Sequence, residues 1–135
     1  DEPYKYKNPP ISRDVIVFEN QINWKEPITL VEGVFDSFSV KRNVIPLLGK
    51  FLLSKLKNKI MENGVKEVTI MLDSDAVDDS TKHTEWFIKN GIKVRNIIPT
   101  DKDAGEMGFK KVNELLKEAK ETTWDDLVLS KLNNI

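Results

Sequence analysis

The sequence predicts an α/β protein with a roughly four-stranded, mostly parallel sheet that is flanked by helices on both faces. Short apolar runs alternate with longer amphipathic segments, and this alternation is typical of parallel strands joined by right-handed crossover helices. Acidic residues follow three of the four apolar runs. Because parallel strands end at one edge of their sheet, these acids are predicted to lie together there.

The predicted strands are four apolar runs, at 28–32, 44–48, 67–72 and 92–98. Pro46 lies inside the second run and indicates an edge strand or a bulge, because proline cannot donate a hydrogen bond to a neighbour. A further short edge strand is predicted at 15–18. Asp36 or Ser37 is the predicted cap of the first helix, and Gly64 and Gly91 are stop signals. Helices are predicted at 36–42, 51–63, 80–90, 106–121 and 123–132.

The composition limits the functions that this sequence can serve. It has 135 residues, which is enough for about one domain, and it contains no cysteine. Disulfides, thiol catalysis and a cysteine-based zinc site are therefore excluded within it. No apolar run reaches the roughly 18 residues of a membrane span and no secretory signal is present, so a cytoplasmic location without a membrane partner is expected. Because the first residue is Asp rather than Met, we expect a fragment of a longer protein.

Charge is distributed unevenly, although the formal net charge is only −1. The segment 41–59 contains six basic residues and no acid, whereas the C-terminal part is rich in acids. The basic segment indicates either a side of the protein that faces phosphate or the solvated face of a lysine-rich helix.

The most informative stretch is EVTIMLDSDAVDD, at 67–79. It is an apolar run that ends in Asp73 and Asp75, and carboxylates this close repel each other unless one is protonated or a cation lies between them. Oxygen ligands at a rigid strand end suit Mg²⁺ or Mn²⁺. The alternative is that these two aspartates begin a turn and cap the next helix. Asp78 and Asp79 are predicted as charges in the first turn of that helix rather than as ligands.

The ends of the other predicted strands favour the metal site. Glu32 follows the first strand, Gly49 follows the second, and Asp101 and Asp103 follow the fourth. Three unrelated helix caps at neighbouring strand ends would be a coincidence, so a shared acidic site is the preferred hypothesis.

Four segments resemble, in order and spacing, the motifs of Toprim domains, which occur in DNA primases, topoisomerases, small nucleases and recombination mediators. LVEGVFD (30–36) resembles the glutamate motif, and MLDSDA (71–76) resembles the D-x-D motif. VIPLLGK (44–50) and IPTDKDAGEMG (98–108) resemble the corresponding segments of bacterial and phage primases. The last motif usually carries two acids as Asp-x-Asp. Here Asp103 matches the first, Gly105 stands at the second place, and Glu106 follows.

The resemblance implies a Toprim catalytic core at 28–108, preceded at 1–27 by the tail of a primase polymerase module and followed at 109–135 by a helical extension. It implies a DNA primase, which is a nucleotidyltransferase that makes RNA primers during replication. The expected partners are single-stranded DNA and ribonucleoside triphosphates, with a replicative helicase as a further partner. If the protein is phage-encoded, the expected location is the cytoplasm of the bacterial host.

The resemblance also implies roles for individual residues. Glu32 is the expected general base or acid, and Gly33 lets the backbone approach a phosphate. Gly49 and Lys50 are expected to bind the nucleotide or nucleic acid, although a solvated lysine at a helix start explains Lys50 equally well. His83 is predicted to be a surface residue. The expected ligands of Mg²⁺ or Mn²⁺ are Asp73, Asp75, Asp103 and Asp36, with Asp101 as the alternative to Asp36.

Two other functions stay open at this point. A Toprim-type nuclease would use the same acids to hydrolyse a phosphodiester. A receiver-like signalling domain also places acids at strand ends, but it requires a lysine at the end of a late strand. Here that strand ends in Ile97, Ile98 and Pro99, which disfavours the receiver.

Overall fold

A computed structural model describes residues 15–99 and 103–133. Its strands are β1 (Ile28–Val31), β2 (Val44–Pro46), β3 (Glu67–Met71) and β4 (Lys93–Asn96), and they form one sheet in the order β2-β1-β3-β4. Every pairing between neighbouring strands is parallel. The predicted α/β class and the predicted edge position of the strand that contains Pro46 are therefore confirmed.

Helices follow each of the four strands. They are α1 (Val34–Ser37), α2 (Ser54–Glu62), α3 (Val77–Lys89), α4 (Ala104–Met107), α5 (Phe109–Glu118) and α6 (Trp124–Asn133). Thr123 caps α6, because its Oγ1 accepts the N–H of Asp126 while Oδ2 of Asp126 accepts the N–H of Thr123. None of the helices within the described ranges combines the length and the apolar composition that crossing a membrane requires.

Two apolar clusters lie against the sheet, because successive strand side chains point to opposite faces. Leu30, Ile70 and Val94 belong to the larger cluster, together with Ile60 of α2 and Phe87 of α3. The smaller cluster contains Val31, Met71 and Val112, the last of which comes from α5. The central strands β1 and β3 contribute to both clusters. They consist almost entirely of buried residues, as expected for strands covered on both faces.

Two local predictions near the N-terminus are wrong. No strand forms at 15–18, because Phe18 has a left-handed backbone (φ 62°) and leads into a 3₁₀-helix at Glu19–Gln21. The first α-helix begins earlier than predicted, with Gly33 as its N-cap residue. Asp36 is the third residue of this helix, and its Oδ2 accepts the N–H of Gly33 at 3.0 Å. The carboxylate thus satisfies a helix-start donor from inside the helix.

Two further helix predictions need correction. The single helix predicted at 106–121 is divided into α4 and α5 by Gly108, whose left-handed backbone (φ 83°) interrupts the helical path. Helix α3 begins at Val77, before the predicted start at 80, because the N–H of Ser80 already bonds the carbonyl of Ala76 at 2.9 Å.

Phe87 is the largest fully buried side chain among the described residues, and its removal tests the larger cluster. We expect Phe87→Ala to lower the free energy of unfolding by about 3–5 kcal/mol, because it removes buried apolar area and leaves a cavity. Urea denaturation followed by circular dichroism measures this loss. Phe51→Ala is the matched control, because Phe51 is 67% exposed and its truncation should change stability by less than about 0.5 kcal/mol. Equal losses in the two variants would contradict this packing.

Candidate metal centre

Five carboxylates meet at the carboxyl edge of the sheet. Oxygen atoms of Glu32, Asp73 and Asp75 lie within 4.8 Å of one another. Oxygen atoms of Asp36, Asp73 and Asp103 form a second group within the same limit, so Asp73 belongs to both. We call these five residues the acidic centre. The structure thus brings together the predicted base and the four predicted ligands, whereas Asp101 lies outside the described residues.

The pairing of β1 with β3 places the first of these groups. Val31 is paired with Met71, so the chain leaves the sheet at the same level on both strands. Glu32 follows directly on β1, and its Oε1 accepts the N–H of Asp73 at 3.4 Å. The backbone itself therefore holds these two acidic residues side by side.

The second group is organised by Asp36, whose side chain is buried. Its Oδ2 accepts the N–H of Gly33 at 3.0 Å, and its Oδ1 accepts the N–H of Gly105 at 2.9 Å. Asp36 thus connects α1 to the first turn of α4. Asp103 is the N-cap of α4, and its Oδ1 accepts the N–H of Glu106 at 2.8 Å. These bonds leave each carboxylate with lone pairs for a further partner.

The structure explains the glycine at the place where the resemblance expects a second acid. A Cβ at Gly105 would lie 2.5 Å from Cδ2 of Phe35 and 3.2 Å from Oδ1 of Asp36, which is too close for either contact. No side chain fits there unless Phe35 moves. Glu106 belongs to neither carboxylate group of the described residues, and its backbone N–H donates to the cap of α4.

The electrostatics of the centre favour a bound cation. Burial raises the pKa of Asp73 to about 6, and the charges of the surrounding carboxylates add to this effect, with Glu32 first, followed by Asp36, Asp103 and Asp75. Among the described lysines and arginines, none forms an ion pair with the acidic centre. A set of carboxylate oxygens that no described lysine or arginine neutralises suits a hard divalent cation, so these groups could hold Mg²⁺ or Mn²⁺.

The alternative role of the D-x-D aspartates as helix caps receives no support from the geometry. The N-cap residue of α3 is Ala76, and no side chain caps this helix start. Asp78 and Asp79 lie in the first turn of α3, where negative charge is favourable. Asp73 and Asp75 are thus available to the acidic centre.

The turn after β2 lies beside Glu32. The N–H of Gly49 donates to the carbonyl of Glu32 at 3.1 Å, and both Leu48 (φ 58°) and Gly49 (φ 149°) have positive φ angles. Nε2 of His83 bonds the carbonyl of Lys50, which ties α3 to this turn. Burial lowers the pKa of His83, so its ring is neutral at pH 7 and donates to that carbonyl.

The predictions for His83 and Gly33 need refinement. His83 is only partly exposed and supports the turn, a role that its sequence position does not reveal, because the bond joins residues from two separate elements. Gly33 has φ −122°, which any residue adopts, and a Cβ there would make an ordinary contact with Oδ2 of Asp36 at 3.5 Å. The fold therefore does not require glycine at 33.

The raised pKa of Asp73 gives a testable pH dependence. In metal-free protein, Asp73 holds a proton more tightly in the folded chain than at its usual pKa of 3.8 in the unfolded chain. The contribution of Asp73 to the free energy of unfolding is therefore fully present below pH 3.8, and it is lost as the pH rises through about 6. We expect Glu32→Gln to lower the pKa of Asp73, because it removes the largest charge contribution. Carboxyl carbon NMR titration measures this pKa.

Glu62→Gln is the control for this titration, because Glu62 ends α2 and is absent from the causes that shift Asp73. Its effect on the pKa of Asp73 should be undetectable. A normal pKa for Asp73 in the metal-free wild type would contradict the packing of the acidic centre.

The two glycines that donate to Asp36 provide a matched pair of variants. We expect Gly105→Ala to lower the free energy of unfolding by about 1–3 kcal/mol and to weaken Mg²⁺ binding, because the added methyl group displaces Phe35 or Asp36. Gly33→Ala has room for its Cβ and should change stability by less than about 0.5 kcal/mol. Urea denaturation and calorimetric Mg²⁺ titration measure the two effects. Indistinguishable behaviour of the two variants would contradict the steric explanation.

The fold also occurs in a known primase. The crystal structure of the zinc-binding and RNA polymerase domains of the Aquifex aeolicus primase is similar to this chain, with a TM-score of 0.60 and 24% sequence identity. The similarity covers 71% of this chain and 26% of that chain, so the present sequence spans about a quarter of the primase structure. No protein-family model matches the sequence, and no curated protein matches it. At this identity the likeness shows a shared primase-like fold.

Proposed function

We propose that residues 28–108 are the Toprim catalytic core of a DNA primase, which synthesises RNA primers from ribonucleoside triphosphates on single-stranded DNA. The observation that carries this proposal is the acidic centre, in which carboxylates that follow β1 and β3 meet the N-cap of α4 around the shared Asp73. The similarity of the fold to part of a primase structure that contains the zinc-binding and RNA polymerase domains supports it.

In this proposal the domain has further parts on both sides of its core. Residues 1–27 are a lead-in from a polymerase module, and 109–135 form a helical extension. The extension packs against the rest of the domain, because α5 contributes the fully buried Val112 to the smaller apolar cluster.

The donor set fits a divalent cation, because it is made entirely of carboxylate oxygens and is unpaired with described lysines and arginines. Asp73 and Asp75 would hold Mg²⁺ or Mn²⁺ together with Asp103 and Asp36. When bound, the cation neutralises triphosphate charge and orients the reacting oxygens, which is the usual contribution of metals to phosphoryl transfer.

The reaction joins a primer 3′-oxygen to the α-phosphorus of a nucleotide and releases pyrophosphate. Glu32 is the proposed general base that accepts the proton of the 3′-hydroxyl. Its backbone is held by β1 and by the N–H of Gly49, and its side chain accepts from the N–H of Asp73, so its position relative to the carboxylates is fixed. Proton transfer requires a base that is held in a fixed position, within hydrogen-bond distance of the proton donor.

Lys50 is the proposed phosphate contact. It follows the positive-φ residues Leu48 and Gly49, at the end of the strand that neighbours β1, and its carbonyl is held by His83. A lysine ammonium at this edge would offset the negative charge that a triphosphate brings to the acidic centre.

Primer synthesis by the full-length protein tests this proposal. We expect Asp73→Asn to lower Mg²⁺-dependent incorporation of labelled ribonucleotides on single-stranded DNA by more than about 100-fold, because loss of groups that only support a metal ligand already costs about 10- to 100-fold. Asp78→Asn makes the same chemical change nearby on α3, outside the acidic centre, and should retain activity.

Strand cleavage is measured in the same reactions. The nuclease alternative would replace the primase proposal if the wild type incorporates no nucleotide but cleaves the strand in the presence of Mg²⁺, and if Asp73→Asn loses this cleavage. Activity of Asp73→Asn equal to that of the wild type would overturn the catalytic role of the acidic centre.

A further inference from the structure

A groove of about 470 Å³ lies beside α1, outside the acidic centre. Three phenylalanines line it, from three separate parts of the chain: Phe18 precedes the 3₁₀-helix, Phe38 follows α1, and Phe109 begins α5. Lys41 and Arg42 also line the groove. We call these five residues the aromatic groove.

The aromatic side chains of the groove are open to solvent. Phe38 is 67% exposed and Phe109 is 54% exposed, whereas Phe18 is 37% exposed. Single exposed apolar side chains are common on protein surfaces, but three phenylalanines in one concave site indicate a binding surface.

The backbone that carries these rings is held in place. Asn113 of α5 accepts the N–H of Lys41 at 2.9 Å and donates to the carbonyl of Ser39 at 2.8 Å. Phe18 keeps a left-handed backbone (φ 62°), which is unfavourable for a bulky residue and persists only where the surrounding structure imposes it. The groove is therefore a formed site rather than a loose gap between loops.

The charge of the groove is positive. Lys41 and Arg42 line the groove and are exposed, and no acid is found among the described residues that line it. Glu26 pairs with Arg42, so part of this charge is already neutralised. The remaining positive charge favours a partner that carries negative charge.

The groove adjoins the acidic centre through α1. Ser37 lines the groove and follows directly on Asp36, and Phe35 packs against Gly105 on the opposite side of the same short helix. The short helix α1 therefore lies between the groove and the carboxylate of Asp36.

We propose that the aromatic groove binds single-stranded nucleic acid, with bases on the phenylalanine rings and a phosphate near Lys41. Exposed aromatic rings combined with cations along a groove are the usual means of binding single strands without sequence preference. Phenylalanine and arginine are enriched in protein interfaces as well, whereas lysine is depleted there, so Lys41 is the residue that favours nucleic acid over a protein partner. The inference rests on the proposed function, since primer synthesis requires a template strand beside the acidic centre.

Fluorescence anisotropy of a labelled oligo-dT of about 16 nucleotides tests the groove directly. The titration uses the full-length protein in metal-free buffer, so that catalysis does not enter the measurement. We expect Phe38→Ala and Phe109→Ala each to weaken binding by about 5- to 150-fold, as loss of one stacked base does. Lys41→Ala should reduce the slope of log affinity against log salt by about 0.7, the value for one phosphate of a single strand.

The control for the rings is Phe51→Ala, which removes an equally exposed phenylalanine outside the groove and should leave affinity unchanged. Lys66→Ala, which removes an exposed lysine distant in sequence from the groove residues, should leave the salt slope unchanged. Unaltered affinity in both groove variants would overturn the proposal. Stability lost from the full-length protein in Phe38→Ala, with affinity unchanged, would also overturn it and would identify the groove as an interface with another part of the protein.

The test separates the groove from the proposed function. If the wild type binds through the groove but makes no primer, the primase proposal fails and the groove proposal stands. If the wild type makes primers, and the groove variants bind oligo-dT and make primers as well as the wild type does, the groove proposal fails and the primase proposal stands.

Discussion

The parallel pairing of β1 with β3 is the constraint on which the candidate site depends. Both strands are buried on both faces, so a slip of one residue would move every side chain into the apolar cluster on the opposite face and disrupt the packing of both clusters. The register that pairs Val31 with Met71 therefore also fixes where Glu32 and Asp73 leave the sheet. Apolar packing, rather than any attraction between the acids, holds these like charges together.

That arrangement carries an electrostatic cost that the fold only partly offsets. Backbone N–H groups stabilise Asp36 and Asp103, because each carboxylate accepts at least one of them. Asp73 has no such donor to its side chain among the described residues, and burial together with neighbouring charge raises its pKa to about 6. Asp73, the one residue that both groups share, is thus the carboxylate whose negative charge the fold stabilises least. A cation placed there would relieve repulsion in both groups at once.

The sequence predicted the strands and the acids at their ends because both signals are local. The predicted strands at 28–32 and 67–72 locate the central strands within a residue of their observed ends, and Glu32 and Asp73 lie one and two residues after those ends. The start of α1 was not predictable from a cap at Asp36, because that carboxylate bonds backward to Gly33 and across to Gly105.

Other parts of the site depend on contacts between distant segments. The bond from His83 to Lys50 and the groove formed by Phe18, Phe38 and Phe109 each join elements that periodicity treats separately. Such contacts exist only once the sheet has brought its connections together. Sequence patterns could not predict these contacts, because they indicate the partners of a residue only within one turn or one strand.

The short helix α1 connects the acidic centre with the aromatic groove. A helix of four residues has too few internal hydrogen bonds to be stable alone, so contacts at its ends determine its position. Asp36 fixes one side through Gly33 and Gly105, and the segment that follows is held by Asn113 of α5. The lack of a side chain at Gly105 lets the ring of Phe35 lie against the backbone at this point. This contact and the bond from Gly105 to Asp36 thus both act on the helix that positions the carboxylate.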